Sequence, residues 1–356
     1  MRKILSIIRW NVVNTFSYLK NKCCLGKAYK ENSKTIFFDL KENPYHRYLG
    51  VLLLFFRSNG YTIKIRYRPG SWGTWSTSLL FVFNINFKLV FKKPEKFSLW
   101  FTDHKKSSDI LFLSADYFTP ATRENFHIPM CMVDTIYTKN LYREDFSNAQ
   151  EKKRRIKIFF AGRFSEKEYS SPLLKNKFSL HTRQELREAT MEIVGHKATV
   201  PEQASDVFNS KELEVVLVNR DIYNVPAEKL RPLLSECDFF LAFPGVVMPL
   251  CHNIIEAMSA GCIPILQYAE WMHPHLQHKE NCLSFSSLDE YKEMISFALN
   301  MDEENKLRMR KNIFEYYYKY LTPEAVVKKL ESINESGQVN KVLLNAEYGS
   351  VVLIKD

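Results

Sequence analysis

Short apolar runs and amphipathic stretches alternate along most of this chain. Residues 35–40 (TIFFDL) form a compact β-rich run. Residues 45–58 follow with helical periodicity and stop at Asn59-Gly60, a helix-ending pair, and 61–67 (YTIKIRY) alternate as a strand. The pattern then predicts a helix over 78–90 and strands over 97–101, 110–113 and 128–133. Residues 138–155 are polar and charged and interrupt the series. A second series begins after them, with strands over 156–161, 214–218, 238–243, 262–267 and 282–285. Helices are predicted over 182–194, 227–236, 252–260, 288–300, 303–320 and 323–334. Residues 341–354 alternate around Tyr348-Gly349 and are read as a terminal hairpin. Strands alternating with helices imply parallel sheets covered on both faces. The expected fold class is therefore α/β: two doubly wound domains facing a cleft. The divisions are a segment at 1–30, a domain at 31–140, a linker at 141–155, a domain at 156–335 and a tail at 336–356.

Composition supports this picture. The 356 residues are 46% hydrophobic and 25% charged, which excludes a disordered or low-complexity chain. No apolar run approaches the roughly 18–20 residues of a spanning helix. Seven cysteines, an odd number with no C-x-x-C pair, speak against a disulfide scaffold or a zinc ribbon and for reduced thiols in a cytoplasmic protein. Charge is lopsided. Residues 1–155 carry 27 basic and 12 acidic side chains, whereas 156–356 carry 23 and 28. The basic half is expected to face something anionic. Its first 30 residues hold seven basic residues and no acid, with apolar positions at Ile4, Ile8, Val12, Phe16 and Leu19. Arg9 and Asn11 break any signal-peptide core. A basic amphipathic helix with Trp10 and Tyr18 suits an anionic membrane surface, peripheral to the cytoplasmic face. It equally suits packing on the first domain.

Chemistry in such sheets belongs beyond the carboxyl ends of the strands. Strand 156–161 runs into Gly162-Arg163, with Lys167 close behind, a candidate clamp for a diphosphate. Residues 237–267 (CDFFLAFPGVVMPLCHNIIEAMSAGCIPILQ) read as strand, loop, helix and strand. Gly245 lies in the loop, and the helix starts near His252-Asn253, where exposed N–H groups and the helix dipole favour phosphate. Glu256 on that helix is placed to accept ribose hydroxyls, although capping chemistry alone also favours an acid there. In the first half several strands end in acids: Asp39, Asp103-His104, Asp116 and Asp134. His46 opens a helix. His46 and Asp116, then Asp103, are the candidate catalytic bases; acids at such junctions also serve as helix caps. His273, His275 and His278 lack further ligands at metal spacing, so no metal site is expected. The basic residues are scattered and no nucleic-acid module appears, so no nucleic-acid partner is expected.

Residues 254–265 (IIEAMSAGCIPI) resemble the donor-binding helix and strand of GT-B-fold glycosyltransferases, and 159–163 (FFAGR) resemble the strand and turn that open their C-terminal domain. Together they look most like the exostosin-type branch, over about residues 155–330. The resemblance implies two Rossmann-like domains, a nucleotide-diphosphate sugar as co-substrate, no metal or other cofactor, and a cell-surface glycan or glycolipid acceptor. Met248 stands eight residues before Glu256, where retaining members often carry a glutamate. Asn253 stands where the branch has arginine, and Pro244-Gly245 where it has Pro-Arg-Gly, so Arg163, Lys167 or Arg183 would have to neutralise the diphosphate. Nucleotide-sugar 2-epimerases share the architecture and give an alternative activity. A degenerate transferase acting as an assembly partner is a third reading.

Overall fold

The computed structural model describes residues 34–41, 46–66, 87–104, 110–169, 171–339 and 341–354. The chain divides into two compact units. Unit 1 is Met1–Ile128 with Pro323–Leu353, and unit 2 is Pro129–Thr322 with Ile354–Asp356. In chain order the strands are β1 (Thr35–Asp39), β2 (Thr62–Arg66), β3 (Phe87–Val90), β4 (Leu99–Thr102), β5 (Leu111–Ser114), β6 (Asn125–His127), β7 (Ile156–Gly162), β8 (Ala198–Thr199), β9 (Leu213–Asn219), β10 (Cys237–Leu241), β11 (Ile263–Leu266), β12 (Leu283–Ser284) and β13 (Lys341–Leu343). The longer helices are α1 (His46–Ser58), α2 (Pro172–Phe178), α3 (Arg183–Val194), α4 (Ala227–Leu234), α5 (His252–Ser259), α6 (Leu288–Asn300), α7 (Glu303–Tyr316) and α8 (Pro323–Ser336).

Unit 1 is built on a parallel sheet ordered β3-β2-β1-β4-β5-β13-β6. Its central strand β1 is buried at every position, as a parallel strand covered on both faces must be. Phe38 stacks on Phe101 of β4 at 5.1 Å and meets Phe56 of α1 edge-on. The chain winds from β1 outward through β2 to β3, then restarts at β4 on the other side of β1. The switch point of this sheet therefore lies at the carboxyl ends of β1 and β4. Helix α8 belongs here too: Glu331 accepts hydrogen bonds from the Tyr61 hydroxyl at 2.5 Å and from Lys34 at 2.6 Å.

Unit 2 carries a second parallel sheet, ordered β12-β11-β10-β7-β9-β8. Strands β7 and β10 are near-continuous apolar runs at its centre. From β7 the chain fills one side with β8 and β9, then crosses to β10, β11 and β12 on the other, so the switch point lies between β7 and β10. Beneath it, Asp238 on β10 pairs with Arg310 at 2.6 Å and Lys306 at 3.3 Å, tying α7 to the sheet.

The fold class matches the expectation of two doubly wound α/β units. Several elements differ. Phe87–Val90 is a strand, not the end of a helix, and the rest of that predicted helix lies outside the described residues. Residues 128–133 join no sheet; the strand is Asn125–His127, just upstream. The apolar run there is buried as a connection, and burial alone does not make a ladder. Residues 141–155 are not a free linker: Arg231 of α4 donates to the carbonyls of Leu141 and Glu144, and Arg310 donates to Gln150. The expected tail at 336–356 is instead a strand and a helical turn, with β13 inserted between β5 and β6. Thus 323–353 complete unit 1 and are not the end of the second domain. The predicted N-terminal amphipathic helix lies outside the described residues.

Candidate functional site

The site is built where the ends of β7 and β10 diverge. Helix α3 starts there under a reciprocal cap: the Thr182 hydroxyl accepts the Glu185 N–H, and the Glu185 carboxylate accepts the Thr182 N–H. This fixes the next residue, Arg183, against the sheet, where it is only 2% exposed. Its Nη1 donates to the Arg163 carbonyl at 2.9 Å, after β7. Its Nη2 donates to the Pro244 carbonyl at 2.8 Å, after β10. One guanidinium thereby ties together the two loops that define the switch point. It lies 3.7 Å from the Tyr169 ring centroid and 5.4 Å from that of Phe160, a cation–π setting. Among the described residues no carboxylate pairs with it, and its Nε has no acceptor. Gly162 makes the approach possible: a Cβ there would meet Phe160 at 2.6 Å and Arg183 Nη1 at 3.1 Å.

The loop after β10 closes tightly before α5. The Gly245 N–H donates to the Pro249 carbonyl at 3.3 Å, and a Cβ on Gly245 would sit 2.9 Å from the Leu250 carbonyl and 3.0 Å from that of Met248. Cys251 then occupies the N-cap of α5 in an extended conformation, with no side-chain cap bond. Its sulfur is 4.0 Å from Arg183 Nη2. Burial alone would raise the Cys251 thiol; the His252 ring, the Arg183 guanidinium and the Asn253 backbone N–H outweigh it and hold the thiol below its ordinary value. In the first turns of α5, His252 Nδ1 sits 3.1 Å from Glu256 Oε1. Asn253 Nδ2 reaches the Ala161 carbonyl at 3.5 Å, while its Oδ1 is buried without a partner among the described residues. The Tyr268 hydroxyl, after β11, is fully buried, without a partner among the described residues, and within the field of both Cys251 and Arg183.

Of the residues predicted for donor binding, Gly162, Gly245, His252 and Asn253 gather at this switch point. Arg163 contributes its carbonyl to Arg183, but its own side chain is exposed and pairs with Asp221 at 3.3 Å. Lys167 is exposed on the helical turn Glu166–Tyr169. Glu256 is 1% exposed and engaged with the Val133 N–H at 3.1 Å and with His252. It orients this histidine and anchors the chain before the turn Asp134–Thr138, a different task from the ribose contact expected of it. The cluster of Arg183, Cys251 and Tyr268 was the least legible part. Arg183 lies inside the Thr182-x-x-Glu185 capping signature, which predicts a helix start but not the burial of its guanidinium.

The catalytic candidates fall in unit 1. Asp103 Oδ1 accepts the Lys41 N–H at 2.8 Å and lies 3.0 Å from His104 Nδ1. Asp39, fully buried at the end of β1, pairs with Arg66 at 2.9 Å and stands 3.8 Å from His104 Nε2. Strand ends β1, β2 and β4 thus converge on His104, which sequence reasoning passed over in favour of its neighbour. Asp116 is elsewhere, after β5, paired with Lys341 of β13 at 3.1 Å. His46 is the first residue of α1; its side chain lies outside the described residues. Among the described residues no group of three or more His, Cys, Asp or Glu comes together as a metal site. Among them, too, no helix is long and apolar enough to cross a membrane.

No protein-family model matches this chain, and no curated protein matches it. Solved structures do resemble it. Anabaena Alr3699/HepE in complex with UDP aligns at 12% identity over 85% of this chain and 100% of that chain, with a TM-score of 0.42. A glycosyltransferase from Rickettsia africae aligns at 10% identity over 87% and 99%, with a TM-score of 0.38. The UDP-GlcNAc 2-epimerase of Neisseria meningitidis bound to UDP-GlcNAc aligns at 9% identity over 85% and 99%, with a TM-score of 0.37. These likenesses are too distant to assign chemistry, which rests on the geometry of the chain itself.

Proposed function

We propose that this chain is a glycosyltransferase of the exostosin-like kind, taking a nucleotide-diphosphate sugar in unit 2 and a glycan or glycolipid acceptor in unit 1, without a divalent metal. The observation that carries the donor half is Arg183, a guanidinium buried at a topological switch point with no carboxylate partner among the described residues. A buried charge costs several kcal/mol. Two carbonyls and an aromatic face offset part of that cost. An anion seated at the neighbouring start of α5 would offset more, because attraction strengthens where the dielectric is low. A diphosphate is the fitting anion class: its charge aligns with the helix dipole at the start of α5. As the sugar leaves, charge grows on the β-phosphate oxygen, and this seat stabilises it in place of a metal. His252, steered by Glu256, stands in the same first turn to contact the leaving group. In unit 1, His104 with Asp103 has the make-up of a general base oriented by a carboxylate. The basic segment at 1–30 is proposed to hold the protein peripherally to an anionic, cytoplasmic membrane face.

Calorimetry with UDP and with GDP at up to millimolar concentration tests the donor site. One of the two is expected to bind saturably, and Arg183→Met is expected to weaken that binding about tenfold or more, equivalent to at least ~1.4 kcal/mol, with an unchanged circular dichroism spectrum. Absence of saturable binding by either nucleotide overturns the reading. Incubation with nucleotide sugar and no acceptor separates the alternative activity: an epimerised product would move the assignment to an epimerase.

A further inference from the structure

Cys251 stands apart from the other described cysteines. Cys131, Cys237, Cys262 and Cys282 are buried, whereas Cys251 is partly exposed. It occupies the N-cap of an eight-residue helix, where serine, threonine or aspartate usually place an oxygen. The groups around it come from three elements. Arg183 of α3 brings a guanidinium nitrogen to 4.0 Å from the sulfur. His252 and the buried Glu256 lie on α5 itself, joined to each other. Tyr268, after β11, supplies a fully buried hydroxyl without a hydrogen-bond partner. The Asn253 Oδ1, also buried, is unpartnered as well. The Tyr268 hydroxyl is an open donor among the described residues, and beside an uncompensated guanidinium and a helix N-terminus it marks a seat for a small anionic group, whereas the Asn253 oxygen can only accept. A thiolate is one such group, and the sulfur is already at its edge.

We infer that Cys251 is a peroxide-sensitive thiol whose oxidation closes the anion seat at the start of α5. The chemistry balances simply. The thiolate sulfur attacks one peroxide oxygen, an S–O bond forms as the O–O bond breaks, and hydroxide leaves and takes up a proton as water. Sulfur is oxidised by two electrons and the peroxide is reduced by two. The sulfenate keeps the thiolate's negative charge but carries it on an added oxygen, which extends beside the Arg183 guanidinium at the start of α5, so it competes with any other anion for the same place. The competition with nucleotide rests on the donor-site reading above; the reactivity of the thiol does not. Among the described residues the carboxylate that acts on Cys251 is Glu256, whose oxygens are turned toward His252 and the Val133 N–H. Arg183 and the helix terminus oppose it.

Peptide mapping of the intact protein after short exposure to iodoacetamide, with and without prior hydrogen peroxide, tests this. Cys251 is expected to alkylate at least tenfold faster at pH 7 than any of the four buried cysteines, with its rate rising half-way below pH 9. Brief peroxide treatment should abolish that adduct and yield a dimedone adduct on the same peptide. Arg183→Met should move the half-rise upward in pH, a readout that a packing role alone leaves unmoved. Cys251→Ser should remove this adduct alone while the thermal transition is kept. UDP should slow alkylation at least fivefold. Labelling of Cys251 no faster than Cys282 overturns the reactive thiol. Fast labelling that UDP fails to slow, in protein that calorimetry shows to bind UDP, overturns the shared seat. In protein that binds no nucleotide, loss of protection counts against the donor reading, and inorganic pyrophosphate then probes the seat directly: protection supports it, and no protection overturns it.

Discussion

Glu256 shows how far one residue can be understood from the sequence. Its place in the first two turns of a helix after an apolar strand was legible, whereas its burial was not, the sequence placing it to meet ribose hydroxyls. Its partner was not, because Val133 lies far upstream in the chain and no local pattern joins them. With hydrogen bonds to a backbone N–H and a histidine ring, the carboxylate contributes chiefly to order. Glu256→Ala should therefore lower stability by about 2–3 kcal/mol, since it removes bonds to a charged group and leaves a buried N–H unmet. Urea unfolding followed by fluorescence checks this. Equal stability with lost nucleotide binding would instead restore the ribose role. Arg183 teaches the same lesson: a Thr-x-x-Glu signature announces the helix, while the guanidinium's burial depends on Gly162, Tyr169 and Pro244, which only the sheet topology brings together.

At the level of elements, sheet 2 was readable almost strand by strand. Its strands β7, β10 and β11 are buried on both faces, so their apolar runs are continuous and bounded by polar turns, whereas the two-residue, half-buried edge strand β8 carries no such signal. Where the signal is short it fails. Phe87–Val90 (FKLV) fits a strand or the end of a helix equally, and its pairing with β2 decides the matter. The loop between β10 and α5 depends on one residue. Gly245 is confronted by two backbone carbonyls within 3.0 Å of any added Cβ, and backbone cannot swing aside as a side chain can. Gly245→Ala should therefore displace the loop, costing about 1–3 kcal/mol. UDP affinity should fall at the same time, because the Pro244 carbonyl that positions Arg183 moves with the loop. Calorimetry and a thermal melt on one preparation measure both effects. An alanine variant with wild-type affinity would show that the loop is not part of the seat.

On the scale of the whole molecule, the two-unit α/β plan was legible and the path of the chain was not. Strand β13 is three residues long, and its place between β5 and β6 is set by ladder partners near residues 112 and 126. Nothing local in KVL announces that. Truncation after Thr322 removes α8 and β13 together, leaving β6 without its neighbour and Tyr61 without Glu331. The truncated protein is expected to lose the cooperative unfolding of unit 1 while unit 2 keeps its own transition, resolved by calorimetric scanning or by hydrogen exchange on peptides from each sheet. Retention of native protection over β1, β4 and β5 would argue against this.

The return of the chain to its first sheet also sets an order of events at the ribosome. Nearly all of unit 2 is one continuous stretch and can close its core once residue 322 has cleared the exit tunnel. Unit 1 begins earlier but must wait, because the strand that joins β5 to β6 is translated only after the main stretch of unit 2. For that interval the first sheet carries an unfilled gap between two strand edges, each a template for a wrong partner. The older half of the nascent chain is thus the later to mature. A stalled or prematurely terminated product would expose the gap as an aggregation-prone edge rather than release an independent first domain.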